Sequence, residues 1–160
     1  METFKLEKSD LLKIYNESSE AGKKYLEEKI GSNNFKLRLE DRLDSFEACC
    51  VENGVDPDDV IPFANPKNGD EKCINAFAKL IQIDRAYNQR KKKDWKNSNQ
   101  PKYYPWWWMD GRSGSGLSLY VVVNVRSYTF VASRLCVLSR EHAEHIAKTF
   151  PDIYEDYMTE

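Results

Sequence analysis

Residues 102–108 read Lys-Tyr-Tyr-Pro-Trp-Trp-Trp, and this aromatic run decides the fold of the second half of the chain. Aromatic and β-branched residues are typical of strands, and a second run of this kind spans residues 117–125. The residues between them, Asp-Gly-Arg-Ser-Gly-Ser-Gly at 110–116, are rich in glycine and serine. The pattern predicts a β-hairpin with a long flexible tip. Residues 128–138 are expected to add one or two further strands.

The aromatic run is expected to divide between the two faces of its strand. Alternate side chains of a strand point to opposite sides, so Tyr104, Trp106 and Trp108 should share one face and Tyr103 and Trp107 the other. One face can fill the core. The other is left for a helix, for solvent or for a ligand, and the sequence leaves both interpretations, packing and binding, open.

Helical patterns surround the predicted hairpin. The strongest covers residues 70–93, with acidic residues at its start and the basic run Arg90–Lys93 at its end, an order that complements the helix dipole. Apolar residues also recur at helical spacing in three segments within residues 9–53, and Ser139 begins a pair of closing helices. The predicted fold class is α+β: a helical N-terminal half followed by a small antiparallel sheet with C-terminal helices.

The charge of the chain is unevenly distributed. Residues 1–60 hold 9 basic and 15 acidic side chains, whereas residues 61–112 hold 11 basic and 5 acidic ones. Such a separation attracts an anion to the basic part or draws two parts of the fold together. We expect an acidic helical region over residues 1–60 and an α+β core over residues 61–160, joined in one continuous globular unit.

Several classes of protein are excluded by composition. No stretch approaches about 18 uninterrupted apolar residues, which excludes a membrane span, and the first residues have no apolar segment typical of a secretory signal. The four cysteines, at positions 49, 50, 73 and 136, form no C-x-x-C pair. They therefore predict buried free thiols in a reducing, intracellular compartment and no zinc site.

Motifs for catalysis are missing as well. His142 and His145 are three residues apart, whereas the metal-binding pattern H-E-x-x-H needs four, and no third ligand is identifiable. The glycine-rich residues 111–116 precede a strand rather than a helix, which argues against a phosphate-binding loop. The sequence has no G-x-S-x-G motif and no cysteine paired with an obvious histidine. We therefore predict no enzyme, no cofactor and no metal.

The basic run Arg90–Lys93 has two interpretations. It is either the solvated end of a helix or a contact for nucleic acid, and its closeness in sequence to the aromatic run keeps the second one open.

A resemblance rests on several short motifs taken together. They are Asn75–Leu80 (NAFAKL), Asp94-Trp95, Ser98–Gln100 (SNQ), Lys102–Trp106 (KYYPW), Val131–Cys136 (VASRLC) and the spacing of Ser139, Glu141, Ile146, Ala147 and Phe150. In these motifs the chain resembles an uncharacterised family of small proteins encoded by phages and prophages of gut bacteria, over about residues 35–158. The resemblance implies a phage origin and a shared fold, and it implies no catalytic residues.

These observations lead to one main functional hypothesis. The chain is expected to be a non-enzymatic binding protein of the host cytoplasm that holds a nucleotide or nucleic acid, in order to counter host defence. The stacking residues would be Tyr103, Trp106, Trp107 and Trp108. The residues that neutralise phosphate would be Lys102, Arg112, Arg126 and Arg134.

The alternative hypothesis is a structural or interaction protein. The chain would then be a virion component or an inhibitor that docks on a host protein, with the same aromatic residues as interface anchors. A homo-oligomer fits this hypothesis, and neither hypothesis involves a membrane.

Overall fold

The computed structural model describes residues 8–35, 38–110, 116–128 and 134–159. Its elements in chain order are α1 (Lys8–Glu17), α2 (Glu20–Ile30), a 3₁₀ turn (Ser32–Asn34), α3 (Leu39–Arg42), α4 (Phe46–Asn53), α5 (Pro57–Val60), α6 (Gly69–Tyr87), β1 (Lys102–Trp108), β2 (Ser118–Val125), α7 (Arg140–Thr149) and α8 (Pro151–Met158). The predicted α+β class is confirmed, with helices at both ends of a two-stranded antiparallel sheet. None of the helices described is both long and apolar enough to cross a membrane.

The chain divides into two compact units, Met1–Asp41 and Arg42–Glu160. In the first unit the ring of Tyr15 stacks on that of Phe35, with centroids 4.4 Å apart, and the Tyr15 hydroxyl donates to the Glu27 carboxylate. The division differs from the boundary predicted near residue 60, because α4 packs against α6 in the second unit. The expectation that the whole chain forms one globular unit stays a prediction.

Helix ends in the second unit follow local sequence signals. Ser45 and Ser139 begin α4 and α7, each accepting a hydrogen bond from the backbone N–H three residues ahead. Gly54 ends α4 in the left-handed conformation, with φ of 69°, which costs glycine less than any other residue. The ends at Gly54 and Ser139 are predicted from the sequence, because the residues that make them lie within one turn of the helix. Residues 39–53, which the sequence predicts as one helix, instead form α3 and α4, with Ser45 at the start of the second.

Helix α6 is shorter than predicted at its C-terminal end. It ends at Tyr87, and both Gln89 and Arg90 adopt positive φ angles, of 51° and 59°. Residues 91–94 then run on without helical structure. The basic run Arg90–Lys93 is therefore no part of the helix. Its interpretation as a solvated helix end is wrong in that respect.

The core of the second unit lies around α6. This helix packs against α4 on one side and α8 on another, and it buries Leu80, Ile83 and Ala86. The Tyr87 hydroxyl is also inside: it donates to the Leu43 carbonyl at 2.7 Å and lies 2.8 Å from Nδ1 of His145. Cys49, Cys50 and Cys136 are buried free thiols, as predicted, while Cys73 is half-buried.

The hairpin pairs β1 with β2 from Lys102–Val125 to Trp108–Ser118, with a bulge after Trp106. Tyr103 exchanges both backbone hydrogen bonds with Val137, at 2.8 Å each, so its backbone groups point away from β2. Pro105, two residues on, must point the same way, and its missing N–H therefore costs no bond between the strands.

The register places Val122 opposite Pro105. The Val122 carbonyl consequently points away from β1, and it accepts a hydrogen bond from Nη1 of Arg140 at 2.8 Å. Helix α7 thus packs against both strands of the hairpin, and its Arg140 bonds one backbone acceptor on the outer edge of β2.

The further strands predicted over residues 128–138 are absent from the described residues 128 and 134–138, where the only pairing is the single bridge between Tyr103 and Val137. Residues 129–133 of that prediction lie outside the described part.

Candidate functional site

The two faces of β1 have different environments, as the alternation of side chains predicted. Trp107 is only 8% exposed and packs on Tyr154, with ring centroids 4.9 Å apart. The ring of Tyr103 is half-buried under the Arg140 guanidinium, at 5.5 Å. The predicted role of Trp107 in stacking on a ligand is therefore wrong, because the core encloses its ring.

The other face of the hairpin remains open. Trp106 is 56% exposed, and so is Tyr120 on β2, whose ring lies edge-on to Trp108 at 4.5 Å. Tyr104 completes the face and is half-buried. We call Tyr104, Trp106, Trp108 and Tyr120 the aromatic hairpin face.

Lys102 is buried rather than available to a phosphate. Its side chain has no exposed area, and its ammonium donates to backbone carbonyls of the segment that precedes β1 and of the residue that follows β2. The acceptors are the carbonyls of Asp94 at 2.5 Å, Gln100 at 2.8 Å, Arg126 at 2.9 Å and Asn97 at 3.4 Å. The predicted role in neutralising phosphate is wrong, because these carbonyls already compensate the charge.

The same ammonium fixes an indole that the sequence had not singled out as a site. Nζ of Lys102 lies 5.1 Å from the ring centroid of Trp95, within the range of a cation–π contact. Trp95 is half-buried, and the surrounding loop is also held by Arg126, whose Nη1 donates to the Ser98 carbonyl at 3.0 Å. Arg126 and Lys102 therefore act together in ordering residues 94–100.

The remaining predicted cations fall in different places. Arg112 lies outside the described residues. Arg134 lies beside the basic run, because its own backbone carbonyl accepts a hydrogen bond from the Lys93 ammonium at 2.5 Å. The predicted residues that the structure describes thus do not form one site: Trp106 and Trp108 lie on the open face of the hairpin, Lys102 is buried, and Arg134 lines a cleft.

That cleft has a volume of about 850 Å³, and we call it the basic cleft. Its walls are Asn53, Ile81, Asp84, Arg85, Asn88, Arg90, Lys91, Lys92, Lys93, Trp95 and Arg134. Six of these side chains are cationic and one is a carboxylate.

Some of the cations are already engaged in the fold. Arg90 donates to the carbonyls of Asn53 at 2.6 Å and of Glu52 at 3.3 Å, which satisfies the C-terminal end of α4. Lys93 pairs with the Asp84 carboxylate and donates to the Cys136 carbonyl at 2.8 Å. These two side chains line the cleft but already have partners in the fold.

Others are free to meet a ligand. Lys91, Lys92 and Arg134 are exposed, and within the described part of the chain their side chains have no hydrogen bond or ion pair. Unpaired cations around a concave surface concentrate the positive potential and attract anions.

The single carboxylate of the cleft is unusual. Asp84 is 8% exposed, and burial raises its pKa to about 7, although the Lys93 ammonium beside it acts in the opposite direction. Asn88 joins the same cluster by donating to the Cys136 carbonyl at 3.0 Å and accepting from the Leu138 N–H at 2.9 Å. The cluster thereby anchors residues 134–138, and with them Arg134, to the end of α6.

Among the residues that the structure describes, no group of three histidine, cysteine, aspartate or glutamate side chains is placed to hold a metal ion. His145 contacts Tyr87 and Thr149 instead, at 2.8 and 3.3 Å from its Nδ1 atom.

Comparison of the chain with protein-family models, with curated proteins and with solved structures gives no match. The site therefore has to be interpreted from its own geometry.

Replacing Lys102 with Met is expected to lower the free energy of unfolding by about 3 kcal/mol, because buried carbonyls lose their donor. Urea unfolding followed by circular dichroism measures the loss, and amide exchange should accelerate in residues 94–100. Lys96→Met is the matched control, since Lys96 is exposed, and it should change stability by no more than about 0.5 kcal/mol. Equal stability of the two variants would contradict the role assigned to Lys102.

The raised pKa of Asp84 predicts a pH-dependent contribution to stability. The folded chain holds this proton more tightly than the unfolded chain, so the contribution is complete below about pH 4 and is lost as the pH rises through about 7. Relative to Asp84→Asn, the wild type should therefore lose free energy of unfolding between these pH values. The exposed Asp59→Asn is the control, and its difference from the wild type should stay nearly constant. A difference for Asp84→Asn that is flat or of opposite slope would overturn the assignment.

Proposed function

We propose that this chain is a phage-encoded, non-enzymatic protein that binds a nucleotide or nucleic acid in the basic cleft. It acts in the cytoplasm of the host cell, where such binding counters a host defence. The phage origin rests on the sequence resemblance. The binding function rests on the cleft.

One observation carries the binding proposal. Lys91, Lys92 and Arg134 come from two distant parts of the sequence, and all three line one concave surface with no partner in the described residues. Three exposed cations on one surface leave a positive potential that, among the described residues, no carboxylate beside them balances except Asp84, which is already paired with Lys93. A phosphate group balances that potential, and the release of its counterions favours binding.

The proposal changes the roles of the residues predicted from the sequence. Of the seven that the structure describes, Arg134 alone lines the cleft, while Lys102, Arg126 and Trp107 have structural contacts. In this proposal the phosphate is bound by Lys91, Lys92 and Arg134 rather than by cations of the hairpin.

The triple variant Lys91→Gln/Lys92→Gln/Arg134→Gln tests the binding proposal. A mixed-sequence single-stranded DNA of about 12 nucleotides is titrated at several salt concentrations, with fluorescence anisotropy as the measurement. The wild type should bind more weakly as salt rises, and the variant should lose most of its affinity. Its slope of log K against log salt should be smaller by about 2, because three phosphate contacts are lost.

The control variant, Lys67→Gln/Lys72→Gln/Lys148→Gln, removes three exposed charges that do not line the cleft. It should retain most of the affinity. Equal losses in the two variants would show that only the net charge of the chain matters. An absence of binding at low salt, to this strand and to nucleoside triphosphates, would refute the proposal.

A second function, as a virion component or as an inhibitor that docks on a host protein, is favoured by the aromatic hairpin face. Its exposed rings adjoin Met109 and Val121, which are 54% and 38% exposed. Large apolar side chains clustered on a surface are typical of protein interfaces. A second copy of this chain is the simplest partner for such a face.

Light scattering after size-exclusion chromatography tests the second function over about a hundredfold range of protein concentration. If the face associates with itself, the wild type should gain mass with concentration and Trp106→Ser/Tyr120→Ser should stay monomeric. Tyr25→Ser/Ile74→Ser removes exposed apolar side chains outside the hairpin and should behave as the wild type. Association that persists in the hairpin variant would contradict the role of this face.

A further inference from the structure

We infer that the ligand of the basic cleft carries an unpaired nucleobase, and that this base stacks on Trp95. The inference rests on the proposed function, which supplies the phosphate contacts, and it adds the class of ligand. A single strand and a free nucleotide share this chemistry.

Trp95 is the only aromatic side chain among the residues that line the cleft in the described structure. It is half-buried, and it lies two residues after the basic run in sequence. An indole beside unpaired cations is the arrangement with which proteins bind single strands: the ring stacks on a base while the cations hold the phosphates.

The ring of Trp95 is also held in place before any ligand arrives. The Lys102 ammonium contacts it at 5.1 Å and is itself fixed by carbonyls from residues 94–100 and from Arg126. A side chain fixed in this way loses little conformational entropy on binding, which favours affinity. The cation occupies one side of the indole, so a base would stack on the other.

A duplex does not satisfy this site. Its bases are stacked on one another and paired, and their faces are inaccessible unless a base is flipped out at a cost of a few kcal/mol. The arrangement therefore favours unpaired nucleotides over duplexes of the same sequence.

The variant Trp95→Leu tests the inference, because leucine fills space without offering a ring. Binding of the single strand of about 12 nucleotides should weaken about tenfold or more, whereas binding of inorganic polyphosphate should not change. Trp95→Phe should retain most of the affinity for the strand. Trp106→Leu is the matched control: this tryptophan lies on the aromatic hairpin face, and its loss should leave the affinity unchanged.

Competition separates the two sources of ligand. Displacement of the strand by a mononucleotide at similar concentration supports a free nucleotide, and displacement only by longer strands supports single-stranded nucleic acid. A duplex of the same sequence should compete at least tenfold less well than the strand.

Three results would overturn the inference while leaving the proposed function intact. They are equal binding of strand and duplex, an unchanged affinity for the strand in Trp95→Leu, and a loss of affinity in Trp106→Leu instead. If no probe binds to the wild type, the proposed function itself is wrong. Urea unfolding of each variant confirms that the comparison is made on folded protein.

Discussion

The ammonium of Lys102 joins three parts of the second unit. It lies in the first position of β1 without access to water, and it replaces its hydration shell with carbonyls from the preceding loop and from the chain that leaves β2. A buried cation is stable only if such dipoles surround it, and here each dipole belongs to a segment with no regular structure. The charge therefore orders residues 94–100 and positions Trp95. It also joins the start of β1 to the residue that follows β2.

A second polar cluster has the same function at the other side of the cleft. Asp84, Asn88 and Lys93 connect the end of α6 to the carbonyls of residues 134–136. The second cluster holds Arg134 beside the basic run, and Lys102 of the first cluster positions Trp95, so that both border the same cleft. Since both clusters consist of side chains bonded mainly to backbone, the exposed cations can vary in sequence without loss of the scaffold. The residues that build the cleft, such as Asp84, Asn88 and Lys93, therefore differ from the exposed cations available to an anion, which are Lys91, Lys92 and Arg134.

The fold class and most helix ends were predictable because their causes are local. Ser139 and Gly54 act within one helical turn, and the alternation of the aromatic run separated Trp106 from Trp107 correctly. The site was not predictable in this way. The buried state of Lys102 depends on the Arg126 carbonyl, 24 residues away, and the cleft depends on Lys93 meeting the Arg134 carbonyl, 41 residues away. One usable signal was present: a tryptophan within a polar loop, two residues after a run of four cations. The helix-end interpretation of the basic run was wrong because the left-handed turn at Gln89 and Arg90 removes these residues from the helix.

The position of Pro105 has a consequence for how this hairpin meets other molecules. On the outer edge of β1, Pro105 has no N–H to donate. On the outer edge of β2, the carbonyl of its register partner Val122 already accepts a hydrogen bond from Arg140. An incoming extended chain would therefore meet an interrupted row of backbone groups on either side, so growth of the sheet into a fibril is disfavoured. The arrangement favours contacts through the exposed rings of the hairpin, which are recognised by shape and polarisability, over pairing with the backbone of another chain.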